Sequence, residues 1–275
     1  MFTLIDEKGL GILIDSFCIS FAKKNSLLNA PTYEQVLQHI SHFIVSPNWK
    51  ETIFLASEQA IKIIPPYIKQ RAELISKDDY SSILINDGLI NNYLKVLDKS
   101  YPKAAFFCNQ LIKVILLANL DTYIEGTSAD GLGIAHIDFK NHYNQNDFNE
   151  LIIHQITHML LFIDDYIEPQ IDDANKPIQI TTSIKHKRGG NKFPLYILFH
   201  SFCVGIEVLQ YRAVSNTLAS PINYHAQTIT AIKRCSECFH ILNENSSLFT
   251  SKGKGILKKY GAIVERLSTE VLNAA

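Results

Sequence analysis

The spacing of apolar residues predicts helices along most of the chain. Between residues 31 and 45, Val36, Leu37 and Ile40 recur at the three- and four-residue intervals of one helix face. Further helical patterns cover residues 15–24, 49–64, 67–75, 79–97, 102–119, 146–166, 194–216, 221–243 and 256–272. The first 119 residues are therefore expected to be almost wholly helical.

The pattern changes in the middle of the chain. Residues 121–127 (DTYIEGT) and 132–139 (LGIAHIDF) are short and β-rich, and the turn signal Ser-Ala-Asp-Gly joins them. They predict a hairpin or a small sheet edge, and residues 178–184 predict another strand. The expected fold is mainly α, a multi-helix domain with a small β hairpin or sheet next to the helix at 146–166. A helical region, 1–120, and a second region, 121–275, are expected to form one compact unit.

Composition and charge narrow the class of protein. Of the 275 residues, 26 are Lys or Arg and 27 are Asp or Glu, and no basic stripe favours nucleic acid. The N-terminus is acidic where a signal peptide needs positive charge, and no stretch offers the ~20 clean apolar residues that cross a bilayer. The odd number of cysteines, five, is typical of reduced thiols. We expect a cytoplasmic protein that does not bind a membrane and that binds a peptide or a small molecule. The sequence does not predict its oligomeric state.

Two histidines stand four residues apart in the helix predicted at 146–166. His154 and His158 differ by about 40° in direction and 6 Å in height, so both imidazoles can bind one ion. Leu151 and Leu161 fall near the same direction, which predicts a dry, inward-facing pair. Buried imidazoles without partners are costly, and a shared metal removes that cost. The alternative is a pair of structural histidines.

A second helix, predicted at 194–216, carries His200 and Glu207 on one face. A buried carboxylate needs a partner, and the ion held by the histidine pair would supply one. With His200 the site has three histidines. With Glu207 it has the two-histidine, one-carboxylate arrangement associated with non-haem iron. A structural His and Glu, hydrogen-bonded to neighbours, is the competing interpretation.

Gln155 decides which chemistry is plausible. A zinc peptidase of the HExxH type has Glu at this position to deprotonate the metal-bound water. Glutamine cannot accept that proton, so hydrolysis through this residue is expected to be lost. Gln155 and Glu207 are the residues predicted to lie at the reacting centre.

Three stretches resemble a known family: NELIIHQITHMLLF, KHKRGGNKFP and LYILFHSFCVGIEV. They are similar to the HExxH-motif proteins of peptide-modification gene clusters, which include 2-oxoglutarate- and iron-dependent peptide β-hydroxylases. The resemblance covers roughly residues 130–215. His154, His158 and His200 match the family histidines, and Arg188 and Pro194 approximate its loop. Gln155 departs from the motif.

The resemblance implies an oxygenase that hydroxylates a peptide or amino-acid side chain. Its cofactors would be Fe(II), bound by His154, His158 and His200, and 2-oxoglutarate. Arg188 is the preferred anchor for the far carboxylate of 2-oxoglutarate, because a guanidinium matches a carboxylate with two hydrogen bonds; Arg212 is the second choice. One alternative is a zinc-binding, metallopeptidase-like protein that lacks the Glu base and acts as a binding partner. Another is a helical interaction protein without a metal.

Overall fold

The protein is mainly α, as predicted. A computed structural model describes residues 2–41, 53–55, 87–117, 129–137, 140, 142–184 and 190–272. Within them the helices are α1 (Glu7–Lys24), α2 (Tyr33–Ser41), α3 (Asp87–Ser100), α4 (Pro102–Leu111), α5 (Gln145–Ile167), α6 (Leu195–Val214), α7 (Thr228–Glu244) and α8 (Ser251–Leu272). The strands are β1 (Ile53–Leu55), β2 (Val114–Leu117), β3 (Ile134–Ile137), β4 (Gln179–Thr181) and β5 (Lys192–Pro194).

The chain divides into two compact units. The N-terminal unit is Glu7–Phe162, and the C-terminal unit combines Met1–Asp6 with Ile163–Ala275. The division falls inside α5, whereas the sequence suggested a change of region near residue 120. The first residues of the chain thus belong with its second half.

A parallel sheet in the N-terminal unit corrects the predicted helices there. β2 lies between β1 and β3, and Ile115 pairs with Phe54 and with Ala135. The helix predicted at 102–119 therefore ends at Leu111, and β1 lies inside the helix predicted at 49–64. Strands of a parallel sheet are covered on both faces and are apolar throughout, so periodicity does not distinguish them from buried helix.

The strand predicted at 132–139 is confirmed, and its hairpin with residues 121–127 stays a prediction. β3 lies within the strand predicted at 132–139, but its described partner is β2, in parallel. Residues 121–127 lie outside the described residues. Gly133 precedes β3 with a φ of 84°, and a Cβ there would stand 2.6 Å from a methyl of Leu37. Glycine is required at this position because it tolerates positive φ and leaves room for that side chain.

The C-terminal unit is built on α6, α7 and α8. α6 begins directly after Pro194, as the sequence predicted, and Phe202 on it contacts the rings of Phe239 on α7 and Tyr260 on α8. β4 lies in the strand predicted at 178–184 and pairs antiparallel with β5. Within the described residues, only α6 is long and apolar enough to cross a membrane, and 72% of that span is buried inside the protein. Such burial is typical of a core helix.

Candidate metal-binding site

Helix α5 carries the histidine pair, and its start is fixed by a reciprocal cap. The side chain of Asn144 accepts hydrogen bonds from the backbone N–H groups of Asn146 and Asp147, at 2.8 and 3.2 Å. The Asp147 carboxylate accepts one from the Asn144 N–H at 2.9 Å. These bonds satisfy N–H groups that have no partner within the helix. The helix begins at Gln145, one residue before the predicted start.

The two imidazoles converge on the same face of α5. The Nε2 atoms of His154 and His158 are 3.1 Å apart, and the ring centroids are 4.8 Å apart. Phe162 stacks on the ring of His158 at 6.1 Å between centroids. Leu151 and Leu161 are fully buried, while both histidines are half-buried. The two residues are thus somewhat less enclosed than predicted, since each keeps a small exposed fraction.

The protonation state of His158 suits a metal ligand. Burial lowers the pKa of His158 to about 4, so its ring is neutral at pH 7 and offers a lone pair. With metal–nitrogen bonds of about 2.0–2.1 Å, a 3.1 Å separation of the two nitrogens gives an angle of about 95–102° at the ion. This angle lies between the octahedral and tetrahedral values. Without an ion, the same distance fits an N–H···N hydrogen bond between two neutral rings.

Gln155 is fully buried on the same helix. Its amide has no basic site comparable to a carboxylate, so α5 supplies no general base at the position that serves hydrolysis in the HExxH motif. A carboxylate that the sequence reasoning missed, Glu150, is also fully buried on α5, one turn before His154. Glu150 precedes His154 by four residues, the same spacing that separates His154 from His158, and this spacing in the sequence could have identified it.

His200 lies in the C-terminal unit, on α6. It is buried, and its ring meets Tyr196 edge-on with 5.1 Å between centroids. Across the part of the chain that the structure describes, no three His, Cys, Asp or Glu side chains come together as a metal site. His200 as a third ligand therefore stays a prediction from the sequence.

Glu207 is buried, and three residues donate hydrogen bonds to its carboxyl oxygens. Tyr260 donates its hydroxyl to Oε1 at 2.8 Å, and the backbone N–H of Thr3 donates to the same oxygen. The side-chain amide of Gln210 donates to Oε2 at 3.2 Å. Burial raises the pKa of Glu207, and the Thr3 and Tyr260 hydrogen bonds oppose that rise. This environment fits the structural interpretation of Glu207, because protein donors occupy both of its oxygens.

Of the two arginines predicted to anchor the far carboxylate of 2-oxoglutarate, the structure describes only Arg212. Arg188 lies outside the described residues. Arg212 is fully buried in the C-terminal unit, and its guanidinium donates to the Ala226 carbonyl at 2.9 Å and the Thr228 hydroxyl at 3.3 Å. These bonds connect the end of α6 to the start of α7. They fit a structural role for Arg212 better than that of a ligand anchor.

Among the described residues, no further histidine or cysteine enlarges the site. His136 is buried on β3, and burial lowers its pKa to about 4, whereas His142 is exposed. Cys235 and Cys238 are both buried in α7 with free thiols. Burial raises the pKa of Cys238 to about 12, which is the opposite of what a redox-active thiol needs.

The chain matches no protein-family model, and no curated protein shows significant similarity to it.

Proposed function

We propose that the chain binds a divalent transition-metal ion through His154 and His158. The observation that carries this proposal is the 3.1 Å separation of their Nε2 atoms on one face of α5. Two imidazoles at this distance can each offer one ring nitrogen to the same ion. The cap at Asn144 and the stacking of Phe162 on His158 hold the helix and one ring in place.

The activity that we propose for this metal is a 2-oxoglutarate-dependent hydroxylation of a peptide or amino-acid side chain. It rests on the resemblance of residues 130–215 and on Gln155, which leaves a hydrolytic water without its usual base. Fe(II) bound there would supply the redox chemistry with O₂ and 2-oxoglutarate. In this proposal, His154 and His158 bind the ion as neutral imidazoles. Gln155 is an uncharged, buried side chain on the same helix.

The second candidate is a zinc protein that binds a partner without turnover. The same Gln155 favours it, because a peptidase-like helix without its Glu retains the metal ligands and loses the base. The two candidates share the histidine pair and differ in the metal and in the chemistry. Measurements of metal content and of succinate release therefore separate them.

Titration of apoprotein with Co²⁺ tests the metal site directly. Bound Co²⁺ gives visible absorption that reports ligand number, and we expect one ion per chain. His154→Ala or His158→Ala should each weaken binding by about 100-fold or more, since even the loss of a residue that only hydrogen-bonds to a metal ligand costs about 10- to 100-fold. His240→Ala is the matched control, because His240 is an exposed histidine on α7. Equal Co²⁺ binding by wild type and His158→Ala would end the proposal.

Turnover is tested on protein purified and loaded with Fe(II) without oxygen. Succinate released from 2-oxoglutarate on exposure to air supports the oxygenase, and stoichiometric zinc without succinate supports the binding protein. His200→Ala belongs to the same series. A loss of Co²⁺ affinity in that variant would identify His200 as the third ligand.

A further inference from the structure

A groove in the C-terminal unit lies between α7 and α8. Its volume is about 440 Å³, within the range of ~300–1,000 Å³ that ligand pockets occupy. Phe239, Leu257 and Ala262 provide apolar surface in it. Leu257 is buried and Phe239 is half-buried, so the groove has an apolar floor.

Opposite charges line this groove along α8. Lys254 and Lys258 are one turn apart, and Glu265 lies seven residues beyond Lys258. All three positions fall within about 40° of one another around the helix, and seven residues rise by about 10.5 Å. Among the described residues, none of these three side chains forms an ion pair. The groove is therefore basic at one end and acidic at the other.

Uncharged polar groups line the groove as well. Asn243, in the last turn of α7, and Ser246, just beyond that helix, both contribute to it. Their side chains make no hydrogen bond to any residue that the structure describes. An asparagine amide both donates and accepts, and a hydroxyl does the same. These are the groups that pair with a peptide backbone.

We propose that this groove binds an extended peptide segment with an acidic residue at one end, apolar residues in the middle and a basic residue at the other. The acidic residue pairs with Lys254 and Lys258, and the basic residue pairs with Glu265. At about 3.3 Å per extended residue, the 10.5 Å between Lys258 and Glu265 corresponds to charges three to four positions apart. A fatty acid fits less well because its tail would lie against the Glu265 carboxylate.

The test uses capped five-residue peptides and the ¹⁵N-labelled full chain in NMR titrations. The dipolar probe is Asp-Leu-Ala-Leu-Lys, and the controls are Asp-Leu-Ala-Leu-Asp and Lys-Leu-Ala-Leu-Lys. We expect the dipolar peptide to bind about tenfold more tightly than either control, with shifts clustered on α7 and α8. Its reversed sequence should bind equally, since it can enter in the opposite direction. Added salt should weaken the preference by screening.

Charge-reversal variants test the proposed contacts. Lys254→Glu with Lys258→Glu should weaken the dipolar peptide about tenfold and make the bis-lysine peptide the preferred ligand. Lys233→Glu, an exposed lysine of α7 outside the groove, is the matched control and should change nothing. Ala262→Trp should abolish binding by filling the groove, and its circular dichroism should match wild type because Ala262 is exposed.

Three results would overturn the proposal: equal binding of all three peptides, shifts outside α7 and α8, or a preference that survives the double charge reversal. Binding of laurate without binding of the dipolar peptide would also overturn the proposal, because the groove would then be a lipid site. The site is independent of the histidine pair. The His154→Ala variant should bind the peptide as wild type does. A failure of the metal proposal would therefore leave the peptide proposal standing, and the reverse also holds.

Discussion

Replacing Tyr260 by phenylalanine tests whether Glu207 is a structural carboxylate. The Tyr260 side chain is fully buried, and its hydroxyl donates to Glu207 at 2.8 Å. The substitution keeps the ring and removes one donor from a buried charge. Hydrogen bonds to charged groups contribute about 1.5–3 kcal/mol, so the free energy of unfolding should fall by that amount. Urea unfolding followed by circular dichroism at pH 7.5 measures it as a lower midpoint at an unchanged slope.

A double-mutant cycle with Glu207→Gln isolates the charge. The amide oxygen of the new glutamine can accept from Thr3 and Tyr260, and its NH₂ can face Gln210 once that amide turns over. The hydrogen bond from Tyr260 then becomes a neutral one, worth about 1 kcal/mol. The coupling between the two substitutions should therefore be about 1 kcal/mol.

The pH dependence has a definite sign. Burial raises the pKa of Glu207 above its ordinary value, so the folded state retains this proton to higher pH than the unfolded state does. The stability that Glu207 contributes is present below the unfolded pKa and is lost as pH rises through the folded pKa. Wild type should therefore lose stability relative to Glu207→Gln as the pH rises above about 4.5, the ordinary pKa of a glutamate.

Two outcomes would refute this reasoning. An unchanged urea midpoint in Tyr260→Phe would mean that the hydroxyl does not support the carboxylate. A loss of Co²⁺ affinity in Glu207→Gln as large as that in His154→Ala would make Glu207 a metal ligand rather than a structural group.

Three further predictions concern buried groups elsewhere. Burial lowers the pKa of His136 to about 4, so stability present above pH 6.5 should be lost as pH falls towards 4. The loss is about 3 kcal/mol, and it should be absent from His136→Gln in urea titrations at several pH values. Gly205→Ala would bring a Cβ within 2.6 Å of the Cys235 sulfur and should cost about 1–3 kcal/mol; adding Cys235→Ala should restore the urea midpoint, and no rescue would exclude this contact as the cause. All five cysteines are buried, so a thiol reagent such as Ellman's should react in the folded state only at the rate of unfolding.

The sequence predicted elements well where one signal was strong and local. The start of α6 follows from Pro194, because proline geometry acts over a few residues. The polar residues at the start of α5 predicted its first residue to within one position, although the capping side chain is Asn144 and not Asn146 or Asp147, as the sequence suggested. The pairing of His154 with His158 is equally local, since any α-helix brings residues four apart to one face. For these features, tertiary structure added distances and burial.

Tertiary structure alone decided strands β1 and β2 and the environment of Glu207. β1 and β2 are three- and four-residue apolar segments, and such segments become strands only when distant partners pair with them. The partners of Glu207 are Thr3, Tyr260 and Gln210, and two of them are more than fifty residues away. The need of a buried carboxylate for donors can be inferred from its apolar surroundings in the sequence. Which donors meet that need depends on contacts between distant residues, and these form only when the chain folds.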